Sequence, residues 1–207
     1  MPALLQGAWL TLELTSVSVC VGILLGLLLA LARISKNLFL DNLAKFYIWF
    51  FRGTPLLLQI FFIYYALPTL APIYIDSMPA AFIALSLNSG AYMAEIMRAA
   101  IQSIDKGQME ASKALGMSYT QAMTRIIIPQ SYRRLIPPVG NELIALLKDS
   151  SLVSSIGMYE LMRTTSVMAN STGNAVYYLP CAALYLALTS LFTFLFGRLE
   201  KRYSIYE

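Results

Sequence analysis

MEASKALGMSYTQAMTRIIIPQSYRRLIPP, residues 109–138, is the stretch that decides how the rest of this chain is read. It is polar and helix-prone, and it interrupts a sequence otherwise too apolar to live in water. Local signals give the region a helix–turn–helix form. Asp105 is placed to cap a helix starting at Lys106, with Gln108 three residues on in the capping-box position. Gly116 is a natural stop for that helix. Ser118 then caps a second helix, again with a Gln (Gln121) three residues later, and Pro129 is expected to end it at Ile128. Ala111, Ser112 and Ala114 keep part of the first helix small, which lets a foreign surface approach closely. An ordered helical loop on one side of a membrane protein reads as a surface presented to a partner.

The surrounding composition fixes the class as an all-α membrane protein. The 207 residues are 58% hydrophobic and 13% charged, where a soluble domain carries about 25% charged residues. A net charge of +4 would suggest nucleic acid in a soluble protein. Here the basic residues flank apolar runs and act as topology signals. No basic face with interleaved aromatics appears, so no nucleic acid is expected as a partner. Cys20 and Cys181 each lie in an apolar run and read as small hydrophobes, with no metal or disulfide role. The chain has no His, the commonest metal ligand and general base. With no paired nucleophile and base either, an enzyme is not expected. The first apolar run lacks a basic region before it and a cleavage site after it, so it reads as a retained helix. Neither end carries a long hydrophilic extension, and one membrane domain over residues 1–207 is expected.

Apolar segments of about 20 residues span a bilayer, and five occur, at residues 7–31, 43–67, 80–101, 135–156 and 175–196. Trp9 anchors the outer end of the first. Thr54-Pro55 should kink the second by removing a backbone donor. The polar loop covers residues 102–134, and residues 157–174 form a connector with a short amphipathic helix. Arg33, Lys36 and Lys45 flank the first link. Lys106, Lys113, Arg125, Arg133 and Arg134 occupy the long loop, and Arg198, Lys201 and Arg202 the tail. Only Arg163 and, near a helix end, Lys148 fall on the other side. The positive-inside rule then places the N-terminus outside and the loop and C-terminus in the cytoplasm. Five spans do not divide into equal halves, and no internal repeat is visible. They are also too few to enclose a solute path, so a second membrane subunit is expected, identical or paralogous.

Glu110-Ala111-Ser112, Leu115-Gly116 and Ile126-Ile127-Ile128-Pro129 resemble the EAA loop of bacterial ABC importer permeases. Ser112 stands where that pattern has Ala, and Ile128 where it often has Leu. Three further stretches extend the likeness over nearly the whole chain. They are Arg52-Gly53-Thr54-Pro55-Leu56-Leu57 with Gln59, Asn88-Ser89-Gly90-Ala91-Tyr92 with Glu95 and Arg98, and Lys148-Asp149-Ser150-Ser151-Leu152. Together the four resemble the polar amino acid importer permeases of the histidine/arginine/glutamine type. The resemblance implies a multi-pass protein of the bacterial cytoplasmic (inner) membrane. It implies that Glu110, Ala111, Ser112, Ala114, Leu115 and Gly116 fit a cleft in a nucleotide-binding ATPase subunit, present in two copies. An extracytoplasmic amino acid-binding protein delivers substrate, and ATP and Mg sit on the partner. The chain itself has no G-x-x-x-x-G-K-[ST] loop, so no cofactor is expected on it and ATP must bind elsewhere.

Charges at bilayer depth cost at least about 2.5–3.5 kcal/mol and mark functional sites. Glu142 and Asp149 are seven residues apart, on nearly one helical face, with Ala145 leaving space between them. Pro137, Pro138 and Gly140 weaken the start of that helix. Two carboxylates lining a cavity would attract an ammonium or guanidinium through charge-assisted hydrogen bonds. That favours arginine, lysine or histidine. Asp149 stands equally well to pair with Lys148 or Arg163 and anchor the outer helix end, whereas Glu142 has no cation within one turn. Asn88 and Ser89 either contact substrate or join helices by hydrogen bonds. Glu95 and Arg98 are spaced to pair, and Arg52 can snorkel as an anchor. The same machinery carrying glutamine, glutamate or cystine stays open. So does an ion-coupled carrier with its ion site at Glu142 and Asp149, although that reading leaves the ordered loop unexplained.

Overall fold

Helix α1 (Pro2–Ile34) opens a computed structural model that describes residues 1–35 and 37–203. Lys36, one of the cations expected on the inner side, lies outside the described residues. Next comes α2 (Leu38–Gly53), whose first turn is capped by the Asn37 side chain accepting from Phe39 and Leu40. Asp41 in that turn accepts both Arg33 and Lys45, the latter at 2.6 Å, and so fixes the α1–α2 corner. A break at Thr54 and Pro55 leads to α3 (Leu56–Phe61), a π turn (Phe62–Ala66) and α4 (Leu67–Leu70). Then follow α5 (Ser77–Gln102), α6 (Lys106–Ala114), α7 (Tyr119–Ala122), a second π turn (Met123–Ile127) and α8 (Ile128–Asp149). A 3-10 segment (Ser150–Ile156), α9 (Leu161–Thr172), a 3-10 turn (Ala175–Tyr177) and α10 (Tyr178–Tyr203) complete the chain. No strand occurs among the described residues.

The α1–α5 pair is the most extensive helix contact, and small residues make it so. Gly22 and Gly26 on α1 are four apart and face α5. A Cβ at Gly22 would fall 2.8 Å from Ser89 Oγ, and one at Gly26 would fall 2.5 Å from the Met93 Cβ. In return Gly90 of α5 receives Leu25, whose Cδ2 would lie 2.7 Å from an added Cβ. Lipid tails are as apolar as leucine, so membrane helices associate through this kind of close backbone approach. Leu14, Ala84, Leu85 and Met93 are fully buried in the core that results. Cys20 is exposed on α1 and Cys181 buried on α10, both as free thiols.

Among the described residues three helical stretches are long and apolar enough to cross a membrane: Pro2–Ile34, Ser77–Gln102 and Ala175–Tyr203. The second apolar run qualifies only as a broken pair, Leu38–Gly53 with Leu56–Leu70, bent by 104°. A kink was expected there, and the structure has a right-angled break instead. Pro55 drives Thr54 out of the helical region, to φ −115 and ψ 146. The fourth run lies on α8, whose 22 residues reach about 33 Å. Its Arg133, Arg134, Glu142, Lys148 and Asp149 take it out of any count by composition.

Pro129 does not end a helix, contrary to expectation. It sits in the first turn of α8, directly after the π turn at Met123–Ile127. A proline ring in a regular helix clashes with the carbonyl four residues back, here Arg125. The wider π turn moves that carbonyl aside. The same device precedes Pro68, after Phe62–Ala66. Pro137 and Pro138 likewise lie inside α8 without breaking it, so the helix begins seven residues before the 135–156 segment and ends at Asp149.

Candidate functional site

The break in the second apolar run leaves carbonyls that no helical turn can satisfy, and two amide side chains take them up. Gln59 Nε2 donates to the carbonyls of Phe51 at 2.9 Å and Thr54 at 3.1 Å, and to Thr54 Oγ1 at 2.9 Å. Asn88 Nδ2, from α5, donates to the same Phe51 carbonyl at 3.2 Å and to Gln59 Oε1 at 3.0 Å. Thr54 Oγ1 donates to the Phe50 carbonyl at 2.8 Å. In a bilayer each unmet carbonyl would cost several kcal/mol, so a break is tolerated only where groups like these repair it.

A cavity of about 380 Å³ opens against this break. Thr54, Pro55 and Leu56 form one side, Asn88 and Tyr92 of α5 a second, and Glu142, Ala145 and Asp149 of α8 a third. The two carboxylates and Asn88 therefore come together, and no ion pair to Glu142 or Asp149 exists among the described residues. Asp149 forms no close ion pair with Lys148 or Arg163. Ser89 does not line this cavity. It is fully buried where α5 meets Gly22 of α1, within electrostatic reach of Glu142. A chamber of this size suits a small molecule, and two carboxylates without a cation suit a positively charged one.

Below it lies a second cavity of about 460 Å³. On α5 its lining continues the stripe of Asn88 and Tyr92 through Glu95, Ala99 and Ser103. On α8 the stripe of Asp149, Ala145 and Glu142 continues through Pro138 and Arg134. Steps of three and four residues keep each set on one helical face. The two cavities are thus successive compartments of one groove between antiparallel α5 and α8. Arg52 stands at their junction. Its guanidinium is 5.1 Å from the Tyr92 ring centroid, and Nη1 is 3.9 Å from Glu95 Oε2. Glu95 in turn holds Arg98 through bonds of 3.0 and 2.6 Å, the pairing their spacing predicts. At the lower end Arg134 donates to the Ser103 carbonyl.

The polar loop carries its own small core. Ile104, Met123 and Ile127 are buried together, with Ile101 and Met109 against them. Asp105 caps α6, accepting from Gly107 at 2.6 Å, and Ser118 with Gln121 forms a full capping box on α7. Gly116, at φ +79, closes α6 as expected. Gln108 instead accepts from Gln130 at 3.4 Å. With the underside packed, Glu110, Ala111, Ala114, Leu115 and Gly116 are exposed, and Leu115 is 82% exposed. Ser112 is turned inward, donating to the Gln108 carbonyl at 2.6 Å.

One buried charge escaped the sequence reading. Glu160 is fully buried before α9 and accepts from Met162 and Arg163 at 2.7 Å each and from Tyr185 Oη at 3.1 Å. Its place just ahead of the amphipathic segment was the available signal, because a carboxylate there can cap a helix.

Comparison with known proteins gives this geometry a family. The family described as "binding-protein-dependent transport system inner membrane component" matches residues 22–205. The chain is 41% identical over 202 residues to the arginine transport system permease protein ArtQ of Bacillus subtilis, covering 97% of this chain and 92% of that protein. It is 39% identical over 202 residues to the putative glutamine transport system permease protein GlnP of Rickettsia typhi, covering 96% and 92%. A crystal structure of an amino acid ABC transporter with histidines contains a chain of the same fold. The TM-score is 0.93 at 40% identity, over 97% of this chain and 94% of that one. Since the match runs from the Gly22 packing face through the loop to the end of α10, the chain belongs to the binding-protein-dependent transport system inner membrane components.

Proposed function

We propose that this chain is the permease subunit of an ATP-driven importer of polar amino acids, with cationic ones foremost. The observation that carries the reading is the chamber at the helix break, lined by Glu142 and Asp149 beside Asn88, with no ion pair to either carboxylate among the described residues. The name of the arginine-transport relative supports it. The domain spans residues 1–207 and crosses the bacterial cytoplasmic membrane five times, with its N-terminus outside. Substrate contact falls to Glu142, Asp149 and Asn88, while Ser89 supports them from the α1 contact. The exposed residues 110, 111, 114, 115 and 116 dock on a nucleotide-binding subunit, two copies of which carry ATP and Mg. Ser112 holds α6 in shape for that contact. A second membrane subunit and an extracytoplasmic binding protein complete the complex.

Relatives named for glutamine transport match almost as well, which makes a neutral polar substrate the second reading. The test is the whole complex in liposomes, with ATP inside and its binding protein outside, given radiolabelled arginine or glutamine. ATP hydrolysis stimulated by the arginine-loaded binding protein, with uptake that survives a proton uncoupler, supports the proposal. Uptake driven by a proton or sodium gradient, with no ATPase bound, replaces it with the ion-coupled carrier. Preference for glutamine retains the importer and moves the specificity.

A further inference from the structure

We propose that Arg52 is the movable partition of the solute path, closing the groove between α5 and α8 by bridging Tyr92 above and Glu95 below. The inference rests on the transport reading and adds to it the place where the path is shut.

Three observations carry it. The upper chamber, with Tyr92 and Glu142, and the lower chamber, with Glu95 and Arg134, lie along the same two helical stripes. Anything moving along those stripes from one to the other must pass the level of Tyr92 and Glu95. Arg52 occupies that level, over the Tyr92 ring at 5.1 Å and beside Glu95 at 3.9 Å.

The second observation is the weakness of its hold. Glu95 is already engaged by Arg98 at 2.6 Å, so Arg52 is its looser partner. A cation over a ring adds a modest attraction that a small displacement removes. The contact is therefore strong enough to occupy the gap and weak enough to be released by helix motion.

The third concerns where Arg52 is attached. It is the last residue but one of α2, directly before the 104° break, with Thr54 and Pro55 lining the upper chamber. Any change in the bend angle swings this side chain across the groove. The Glu142 carboxylate lines the upper chamber as Glu95 lines the lower, so Arg52 stands between two anionic stations and is in ion-pair contact with the lower one. Left in place, its charge also repels a cationic solute resting at Glu142. It opposes leakage inward until the bend moves.

The test uses the complete permease–ATPase complex in liposomes preloaded with radiolabelled arginine, without nucleotide or binding protein, and measures efflux. Arg52→Met keeps the stem and removes the charge, while Glu95→Gln leaves Arg52 present and loosens its lower hold. Both should raise efflux about tenfold, as loss of one charged contact from a barrier does, and Arg52→Lys should fall between. The double variant should leak no more than the worse single one. Wild-type efflux from intact complexes of both single variants overturns the proposal. Failure of both to assemble also overturns it, by marking the pair as structural. If only Arg52→Met fails, Glu95→Gln decides. Import driven by ATP, measured separately on the wild type, tests the transport reading, so the two can fail independently.

Discussion

Asn88 Nδ2 donates to Gln59 Oε1 at 3.0 Å, fastening α5 to the far side of the broken second apolar run. Gln59 spends its own amide on the carbonyls that Pro55 set free, so the two side chains form one repair. Asn88→Ala and Gln59→Ala should each destabilise the purified complex by about 1–3 kcal/mol, the cost of a buried polar group left unmet. The double variant should lose clearly less than the sum, because the second change removes a partner already idle. Inactivation temperatures in detergent measure this, and strictly additive losses would mean that the two amides act separately.

Much of this was legible in the residues themselves. Asp105, Gly116, Ser118 and Gln121 behave as their local chemistry dictates, since caps and stops depend on neighbours in sequence. The shared face of Glu142 and Asp149 follows from helical spacing alone. Other features depend on distant partners. Whether Pro55 kinks a helix or breaks it is decided by the presence of Gln59 and Asn88 to take the orphaned carbonyls, and Asn88 is 37 residues from Phe51. Pro129 passes as a helix residue only because a π turn absorbs its ring, which no local rule announces. Ser89 and Asn88 are adjacent in sequence yet face α1 and the chamber respectively, a division set by Gly22.

Gly26 is the glycine with least room in the α1–α5 contact, where even a methyl group would sit 2.5 Å from the Met93 Cβ and 2.9 Å from the Ala94 nitrogen. Neither neighbour is the free end of a side chain, so the helices themselves must part. Gly26→Ala should cost about 1–3 kcal/mol, as overpacking of a filled core does. Gly53→Ala, where an added Cβ meets nothing within 4 Å, is the matched control and should be close to neutral. Equal melting temperatures for the two variants would refute the packing argument.

Leu115 is an apolar side chain held out from a loop whose underside is already packed. If residues 110–116 are the surface that meets the ATPase subunit, Leu115→Asp should weaken that association by about tenfold or more, as loss of a central interface anchor does. Ser112→Ala removes only an internal bond to Gln108 and should cost less than about 1.5 kcal/mol of loop stability, leaving association nearly intact. Pull-down of the ATPase subunit by each variant separates the two roles, and the reverse ranking would move the docking surface elsewhere.

Glu142 faces the upper chamber and forms no ion pair with a Lys or Arg among the described residues, which leaves it to meet a solute. Glu142→Gln keeps the shape and a hydrogen-bonding oxygen while removing the charge. A hydrogen bond to a charged group is worth about 1.5–3 kcal/mol. The arginine concentration for half-maximal uptake should therefore rise about 10- to 100-fold, while basal ATP hydrolysis stays near the wild-type rate. Asp149→Asn should have a smaller effect, since Asp149 sits at the exposed rim. Neutral amino acids should lose little in either variant, because they present no second cation. Losses of basal hydrolysis and uptake in equal proportion would place Glu142 in coupling rather than recognition, and the preference for cationic substrates would then need another origin.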